Sequence, residues 1–286
     1  MKRFYVITNI PKDPQLTVAR RIRNYLQSKG KECILQKCAA EDPSGRYKYT
    51  DPSAVPEGID CIIVLGGDGT VLRASRDLVE RQIPMFGVNL GNLGYLAETD
   101  QEHLEEALDH LVLDEYVLEE RMMLEGRAYH HGEMMMSDVA LNDIVIARSG
   151  KIRVMKFHIY VNDRLLNSYN ADGIIVSTPT GSTGYSLSVG GPIVSPSASL
   201  ILLSPIAPHT LTARSVILPD DAKVRVEIGL REDGSEEAEA AFDGDASARM
   251  RCGDYITIEK SVRRVPFAKI DQISFLEVLR RKMSGA

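Results

Sequence analysis

The 286-residue chain is short of the features that mark several large functional classes. Its four cysteines, Cys33, Cys38, Cys61 and Cys252, show no Cys-x-x-Cys spacing and no nearby histidine pair. That argues against a disulfide framework or a zinc site and for reduced thiols. Positive charge is not in excess: 34 Lys and Arg stand against 40 Asp and Glu, a net charge of −6. A general nucleic-acid surface or acidic-membrane surface is therefore not expected. No run of ~20 mainly apolar residues occurs, and the N-terminus reaches Pro11 without an apolar signal core. The expectation is a cytoplasmic protein with neither nucleic acid nor membrane as partner. The common motifs are missing too: there is no GxxxxGK[ST], no GxGxxG followed by a ribose-binding acid, no HExxH, and no GxSxG to give His209 a nucleophile.

Charge itself is missing from 41 consecutive positions, 173–213. Gly, Pro, Ser and Thr are scattered through them, so they do not form a membrane span. Overall, 44% hydrophobic and 26% charged residues fit a folded chain with a sizeable core.

The first half alternates strand and helix signals. Residues 4–8 are a short apolar strand, Val18, Ile22, Tyr25 and Leu26 recur at helical spacing, and Gly30 closes that helix. Residues 33–35 read as a second strand, 39–58 as a polar loop, and 61–65 as a strand buried on both faces. A helix over 72–81, a strand over 85–88 and a helix over 101–113 follow. This predicts a doubly wound α/β domain over 1–118. From about residue 119 strand signals crowd together, at 139–147, 154–161, 172–177, 215–218, 223–230 and 255–259. They predict a β-rich, sandwich-like domain over 119–267. The acidic run 232–239 reads as an exposed turn, and 189–206 as mostly buried β core. Phe275, Leu276, Leu279 and Met283 give the apolar face of a closing helix within 268–286, expected to pack back on the first domain.

Five segments carry chemistry. Gly66-Gly67-Asp68-Gly69-Thr70 sits between a buried strand and a helix, where ligands bind in open α/β sheets. Glycines there let backbone N–H groups approach a phosphate, and the helix N-terminus favours an anion. A carboxylate among them repels phosphate unless Asp68 handles a proton or a divalent cation; the alternative is a plain turn with Asp68 as N-cap. A second glycine-rich turn, 87–95, follows the next strand. Asn142-Asp143 is an amide–carboxylate pair able to hydrogen-bond an adenine edge or a ribose diol. Residues 171–188 run from a strand into a hydroxyl-rich loop bearing one aromatic, Tyr185, suited to a neutral aromatic ligand. The fifth segment, Pro205-Ile-Ala207-Pro208-His209-Thr210, reads as a β corner.

In this order the segments resemble the NAD kinase family: GGDGT (66–70), NLGNLGYL (89–96), NDIVI (142–146), DGIIVSTPTGSTGYSLSVGGPIV (172–194) and PHTLTAR (208–214). GGDG is shared with lipid kinases and phosphofructokinases, whereas TPTGSTGYSLS is specific. The resemblance implies transfer of the γ-phosphate of ATP, with a divalent cation such as Mg²⁺, to the 2′-hydroxyl of the adenosine ribose of NAD. It implies Asp68 as the catalytic residue and contacts to NAD or ATP from Asp68, Gly69, Arg73, Asn142, Asp143, Arg153, Asp172, Thr183, Gly184, Tyr185, Ser186, Leu187, Ser188, Ala207 and Asp245. It also implies a homo-oligomer, dimer or tetramer. Four positions depart from the usual family pattern: Asp143 for Glu, Gly184 for Ala, Asn170 for a basic residue, and Asp245 for Gln. Two other readings compete: a lipid or sugar kinase sharing GGDG, and a non-catalytic dinucleotide sensor.

Overall fold

A computed structural model describes residues 1–36, 50–91, 94–150, 154–230, 237–270 and 274–284. The chain divides into two compact units, Met1–Glu120 with Arg264–Ala286, and Arg121–Arg263.

The first unit is α/β. Strand β1 (Arg3–Thr8) leads into helix α1 (Thr17–Ser28), whose face of Ala19, Ile22 and Leu26 is buried. Buried Asp13 caps α1 from outside, accepting from the backbone N–H of Thr17 at 2.7 Å, Val18 at 3.3 Å and Ala19 at 3.1 Å. This charged acceptor satisfies donors that every helix start leaves open. Strands β2 (Glu32–Leu35), β3 (Cys61–Gly66) and β4 (Met85–Asn89) complete a parallel sheet in the order β2-β1-β3-β4. Every residue of β3 and β4 is buried, as continuous apolar runs in parallel sheets require. Pairing of Thr8 with Leu65, and of Leu65 with Val88, levels the carboxyl ends of β1, β3 and β4. The loops leaving these three strands therefore gather at one edge.

Helix α2 runs Asp68–Asp77, four residues earlier at both ends than the apolar spacing predicts. Its first turn is the polar Asp-Gly-Thr, so hydrophobic periodicity does not report it. Helix α3 (Leu104–Val112) starts late because Asp100 first folds a turn, accepting from the N–H groups of Glu102 and His103. Cys33, Cys61 and Cys252 are free thiols. Burial pushes the thiol of Cys33 up to about 12, and that of Cys61 up as well, which keeps both unreactive.

The second unit is a β-sandwich. It begins with a long hairpin, β5 (Val117–His130) and β6 (Glu133–Ala140). Then come β7 (Asp143–Arg148), β8 (Met155–Val161), β9 (Arg164–Ala171), β10 (Gly173–Ser177), the short helix α4 (Tyr185–Ser188), β11 (Leu200–Ile206), β12 (Val216–Pro219), β13 (Val224–Ile228), β14 (Glu237–Phe242), β15 (Ala246–Arg251) and β16 (Tyr255–Lys269). One antiparallel sheet has the order β12-β11-β10-β7-β14-β15; the other runs β16-β13-β8-β9, with β5 on β16. Ile144, Ile174, Val176, Leu203, Ala240 and Phe242 from the first share a core with Phe157, Ile159, Val226 and Ile258 from the second.

Several expectations shift. The segment 139–147 is two strands broken at Leu141 and Asn142. Of the acidic run, Glu237–Glu239 lie in β14, while 231–236 fall outside the described residues. In 189–206 only β11 is strand, and the irregular stretch before it is largely half-exposed. Near the chain's end β16 joins the first unit's sheet, with Phe267 beside Met85. Helix α5 (Phe275–Met283) buries Val278, whereas Leu276 and Met283 are exposed. The 275–278 spacing, not 276–283, sets its inner face, and the Phe275 ring meets that of Tyr95, centroids 5.9 Å apart.

Candidate active site

In the first unit, two glycine-rich turns build one carboxylate site. Gly66 ends β3 where a Cβ would lie 2.3 Å from the hydroxyl of buried Thr70. Gly67 is extended and precedes the helix, and Asp68 is the first helical residue. The Asp68 carboxylate does not cap its own helix. It reaches the chain after β4, where Oδ2 accepts from the N–H of Tyr95 at 2.9 Å and Oδ1 from that of Leu96 at 3.0 Å. A Cβ on Gly94 would sit 1.9 Å from Oδ1, so only glycine admits the carboxylate. GGDGT and GYL are thus one device: the second motif holds the first one's acid. Of roughly four lone-pair positions on a carboxylate, two remain for a substrate hydroxyl or a cation. Burial, and then the Asp68 charge, pushes the Tyr95 phenol up. Gly69 and Arg73 are exposed on α2, Gly69 beside the carboxylate and Arg73 one turn along.

In the second unit, Asn142 and Asp143 lie in the turn between β6 and β7. The backbone of that turn is held by Asp243, which sequence reasoning missed. Its Oδ2 accepts from Leu141 N–H at 2.8 Å, and its Oδ1 from Asn142 at 2.8 Å and Asp143 at 3.1 Å. Asp243 (φ +51°) and Gly244 (φ +72°) form the turn of the β14–β15 hairpin, so the Asp-Gly pair was the legible signal. Asp245 is exposed just beyond. From the other side, Thr178 donates its hydroxyl to Leu141 O at 2.6 Å and its N–H to Asn142 O at 2.9 Å. A Cβ on Gly181 would stand 2.2 Å from Asn142 O, and one on Gly184 3.5 Å from Asn142 Nδ2 and 3.7 Å from Asp143 Oδ2. The TPTGSTG loop therefore lies directly against the Asn-Asp pair. Thr183 is half-buried, and its hydroxyl donates to Thr180 O at 3.2 Å. Tyr185, Leu187 and Ser188 are exposed, whereas Ser186 is buried with its hydroxyl toward Ser204. Buried Arg121 reaches the Thr180 hydroxyl at 3.3 Å.

Asp172 and Ala207 form a separate group. Arg148 grips Asp172 with Nε to Oδ1 at 2.8 Å and Nη2 to Oδ2 at 3.4 Å, and Asp172 N–H donates to Ile206 O, beside Ala207 (φ +43°). Since Ser177 pairs with Asp143 and Gly173 with Ala147, and Asp172 lies one residue beyond, this group is five residues along the strands, about 17 Å from Asp143. The structure does not bring these two residues to the Asn-Asp turn. Arg153 lies outside the described residues.

Asp143 is buried, and its carboxyl is pushed up to about 7, by burial first and by the Asp243 charge second. Its pKa is thus higher folded than unfolded. Its contribution to stability should be fully present below the ordinary carboxylate range, fall as pH rises from about 4 to about 7, and then level off. Asp143→Asn should remove that fall. Urea unfolding at pH 8 should find the variant more stable than the parent by up to about 4 kcal/mol, with little gain at pH 4. Equal gains at both pH values would show that Asp143 does not titrate this way.

Comparison with known proteins agrees across the chain. A family model described as the ATP-NAD kinase N-terminal domain matches residues 7–116, and the ATP-NAD kinase C-terminal domain matches 141–270. An NAD kinase of Lachnospira eligens is 46% identical, covering 99% of this chain and 100% of its own length. That of Agathobacter rectalis is 43% identical over 100% and 99%. Among solved structures, an NAD kinase from Archaeoglobus fulgidus in complex with ATP superposes with a TM-score of 0.76 at 26% identity, covering 99% of this chain and 97% of that one. Yeast NADH kinase complexed with NADH shares the fold, with a TM-score of 0.84 at 24% identity over 100% and 88%.

Proposed function

The chain belongs to the NAD kinase family, and from that premise we propose how its residues transfer the γ-phosphate of ATP to the 2′-hydroxyl of the adenosine ribose of NAD. The observation that carries the reading is the Asp68 carboxylate, fixed by two N–H groups at a glycine-rich turn between a buried strand and a helix. As the ribose oxygen forms its bond to the γ-phosphorus and the bond to the β-phosphate oxygen breaks, Asp68 takes the hydroxyl proton and ADP leaves. Positioning and charge neutralisation supply most of such a rate enhancement.

The residues present fit a divalent cation carried by the nucleotide. Among the described residues no group of three or more acidic, His or Cys side chains forms a metal cage, and Asp68 keeps free lone pairs. Mg²⁺ usually leans on one or two carboxylates plus substrate phosphates. Asp68 would hold it there, and its charge would offset the repulsion between carboxylate and phosphate.

Asn142 and Asp143 bind NAD through ribose hydroxyls or adenine, and Tyr185 offers its exposed ring to a base. Thr183, Gly184, Ser186, Leu187 and Ser188 line that contact, Ser186 through its backbone. Gly69 and Arg73 meet phosphates. Asp172, Ala207, Asp245 and Arg153 complete the substrate contacts. The protein works as a cytoplasmic homo-oligomer, a dimer or tetramer, in NADP biosynthesis. No helix among the described residues is long and apolar enough to cross a membrane.

The test is incubation of the purified chain with ATP, Mg²⁺ and, in separate arms, NAD, NADH and diacylglycerol, reading NADP by a dependent dehydrogenase. NADP and ADP in equal amounts are expected. Phosphorylation of diacylglycerol alone would establish a lipid kinase, and NAD binding without ATP consumption a sensor.

A further inference from the structure

The loop after β1 is not part of any of the five motifs, yet it is built against both turns of the first unit. Asn9 donates its backbone N–H to Leu65 O at 2.9 Å and its side-chain amide to the Thr70 hydroxyl at 3.0 Å, tying the loop to the end of β3 and the start of α2. Lys12 N–H returns to Asn9 O at 2.9 Å, and Asp13, also bonded to Asn9 O, locks the far side as the cap of α1. Lys12 is thus displayed from a short loop fixed on both sides.

Its ammonium lies over the glycines. A Cβ on Gly67 would be 3.1 Å from Lys12 Nζ, and one on Gly91 3.7 Å from it. The side chain is exposed and, among the described residues, has no carboxylate or other partner within hydrogen-bond or ion-pair distance. A loop fixed on both sides that places a cation over Gly67 and Gly91, with no partner for it among the described residues, in a chain of net charge −6, fits a phosphate better than a general surface role. An ammonium is a point charge with three donors, able to bridge oxygens of neighbouring phosphates.

We propose that Lys12 binds the terminal phosphates of the nucleotide donor over the Gly67 and Gly91 turns, and so positions the γ-phosphate beside Asp68. The proposal rests on the kinase reading above. Lys12 neither receives nor gives a proton in the transfer; it counters the phosphate charge that Asp68 opposes.

The experiment compares the full chain with Lys12→Met and Lys12→Arg. Because the side chain has no partner among the described residues, thermal unfolding should be unchanged in both. In Lys12→Met, KM for ATP should rise about ten- to a hundredfold, the range of one charge-assisted hydrogen bond, while KM for NAD stays within twofold. Lys12→Arg should recover most of the loss. Equilibrium dialysis with ATP and AMP should show ATP binding weakened by the same factor and AMP binding unmoved. An unchanged ATP KM in Lys12→Met, or a shift in NAD KM instead, would overturn the assignment while leaving the kinase reading intact. A parent protein that makes no NADP would overturn the kinase reading, and the dialysis arm would still decide whether Lys12 holds phosphates.

Discussion

Asp68→Asn should form NADP some 10²- to 10⁴-fold more slowly than the parent, with KM for NAD nearly unchanged. The amide cannot take the ribose proton, and that is the larger effect. A second, smaller effect follows from the hydrogen bonds. Both carboxylate oxygens accept a backbone N–H, from Tyr95 and Leu96. With an amide in place of the carboxylate, one of those N–H groups faces an NH₂, two donors meet, and the strap after β4 loses about 1–3 kcal/mol. Asp68→Ala separates the two effects. It removes both acceptors, so its melting temperature should fall below that of Asp68→Asn, yet its turnover should be no slower. If turnover instead tracks stability through the pair, Asp68 acts only as a bracket for the strap and the proton role fails. Near-normal turnover in Asp68→Asn would end it outright.

The alternation of β1, α1, β3, α2 and β4 was legible because parallel strands are apolar on both faces and helices on one. What escaped was whatever lacked periodicity. The first turn of α2 is Asp-Gly-Thr, so apolar spacing starts the helix at Leu72 rather than at Asp68. The break at Leu141 and Asn142 falls inside a segment that reads as one strand over 139–147, because apolar residues stand on both sides of the Asn142-Asp143 pair. The hairpin β5–β6 carries no clear strand signal because polar and apolar residues are mixed on its exposed part, where Val117, Leu118, Met134 and Met135 face outward. Of the candidate site, GGDGT and TPTGSTG could be read by themselves only as glycine- and hydroxyl-rich turns after strands, and the family resemblance they carry is what implied a role. Their relation to other segments could not be read: the reason for Gly94 is a carboxylate 26 positions earlier, and the acceptor for the Asn142 N–H lies 101 positions later. Arg148, the partner of Asp172, and Lys12 belong to no motif, and their placement shows only when the strands are laid side by side.

Asp243→Ala should be the most destabilising single change in the second unit's candidate site. It strips the acceptor from three backbone N–H groups at once, those of Leu141, Asn142 and Asp143. An unsatisfied buried donor costs about 1–3 kcal/mol, and the three losses are shared within one turn, so about 3–5 kcal/mol is expected rather than their sum. Alanine also fits the left-handed backbone at φ +51° less well than aspartate. Removing the charge should let the Asp143 carboxyl fall from about 7, because only burial then holds it up. Asp243→Asn grades the effect. Its carbonyl oxygen can keep the two bonds that Oδ1 makes, and asparagine tolerates positive φ, so it should lose no more than about 2 kcal/mol. Since Asn142 and Asp143 bind NAD in this reading, KM for NAD should rise in the same order, parent, Asn, Ala, with KM for ATP steady. Urea unfolding and initial-rate kinetics on the three proteins check both rankings. An Asp243→Ala protein as stable as the parent would mean that the turn holds its shape without this carboxylate. A stability loss with NAD affinity intact would mean that the turn's shape does not set the NAD contact.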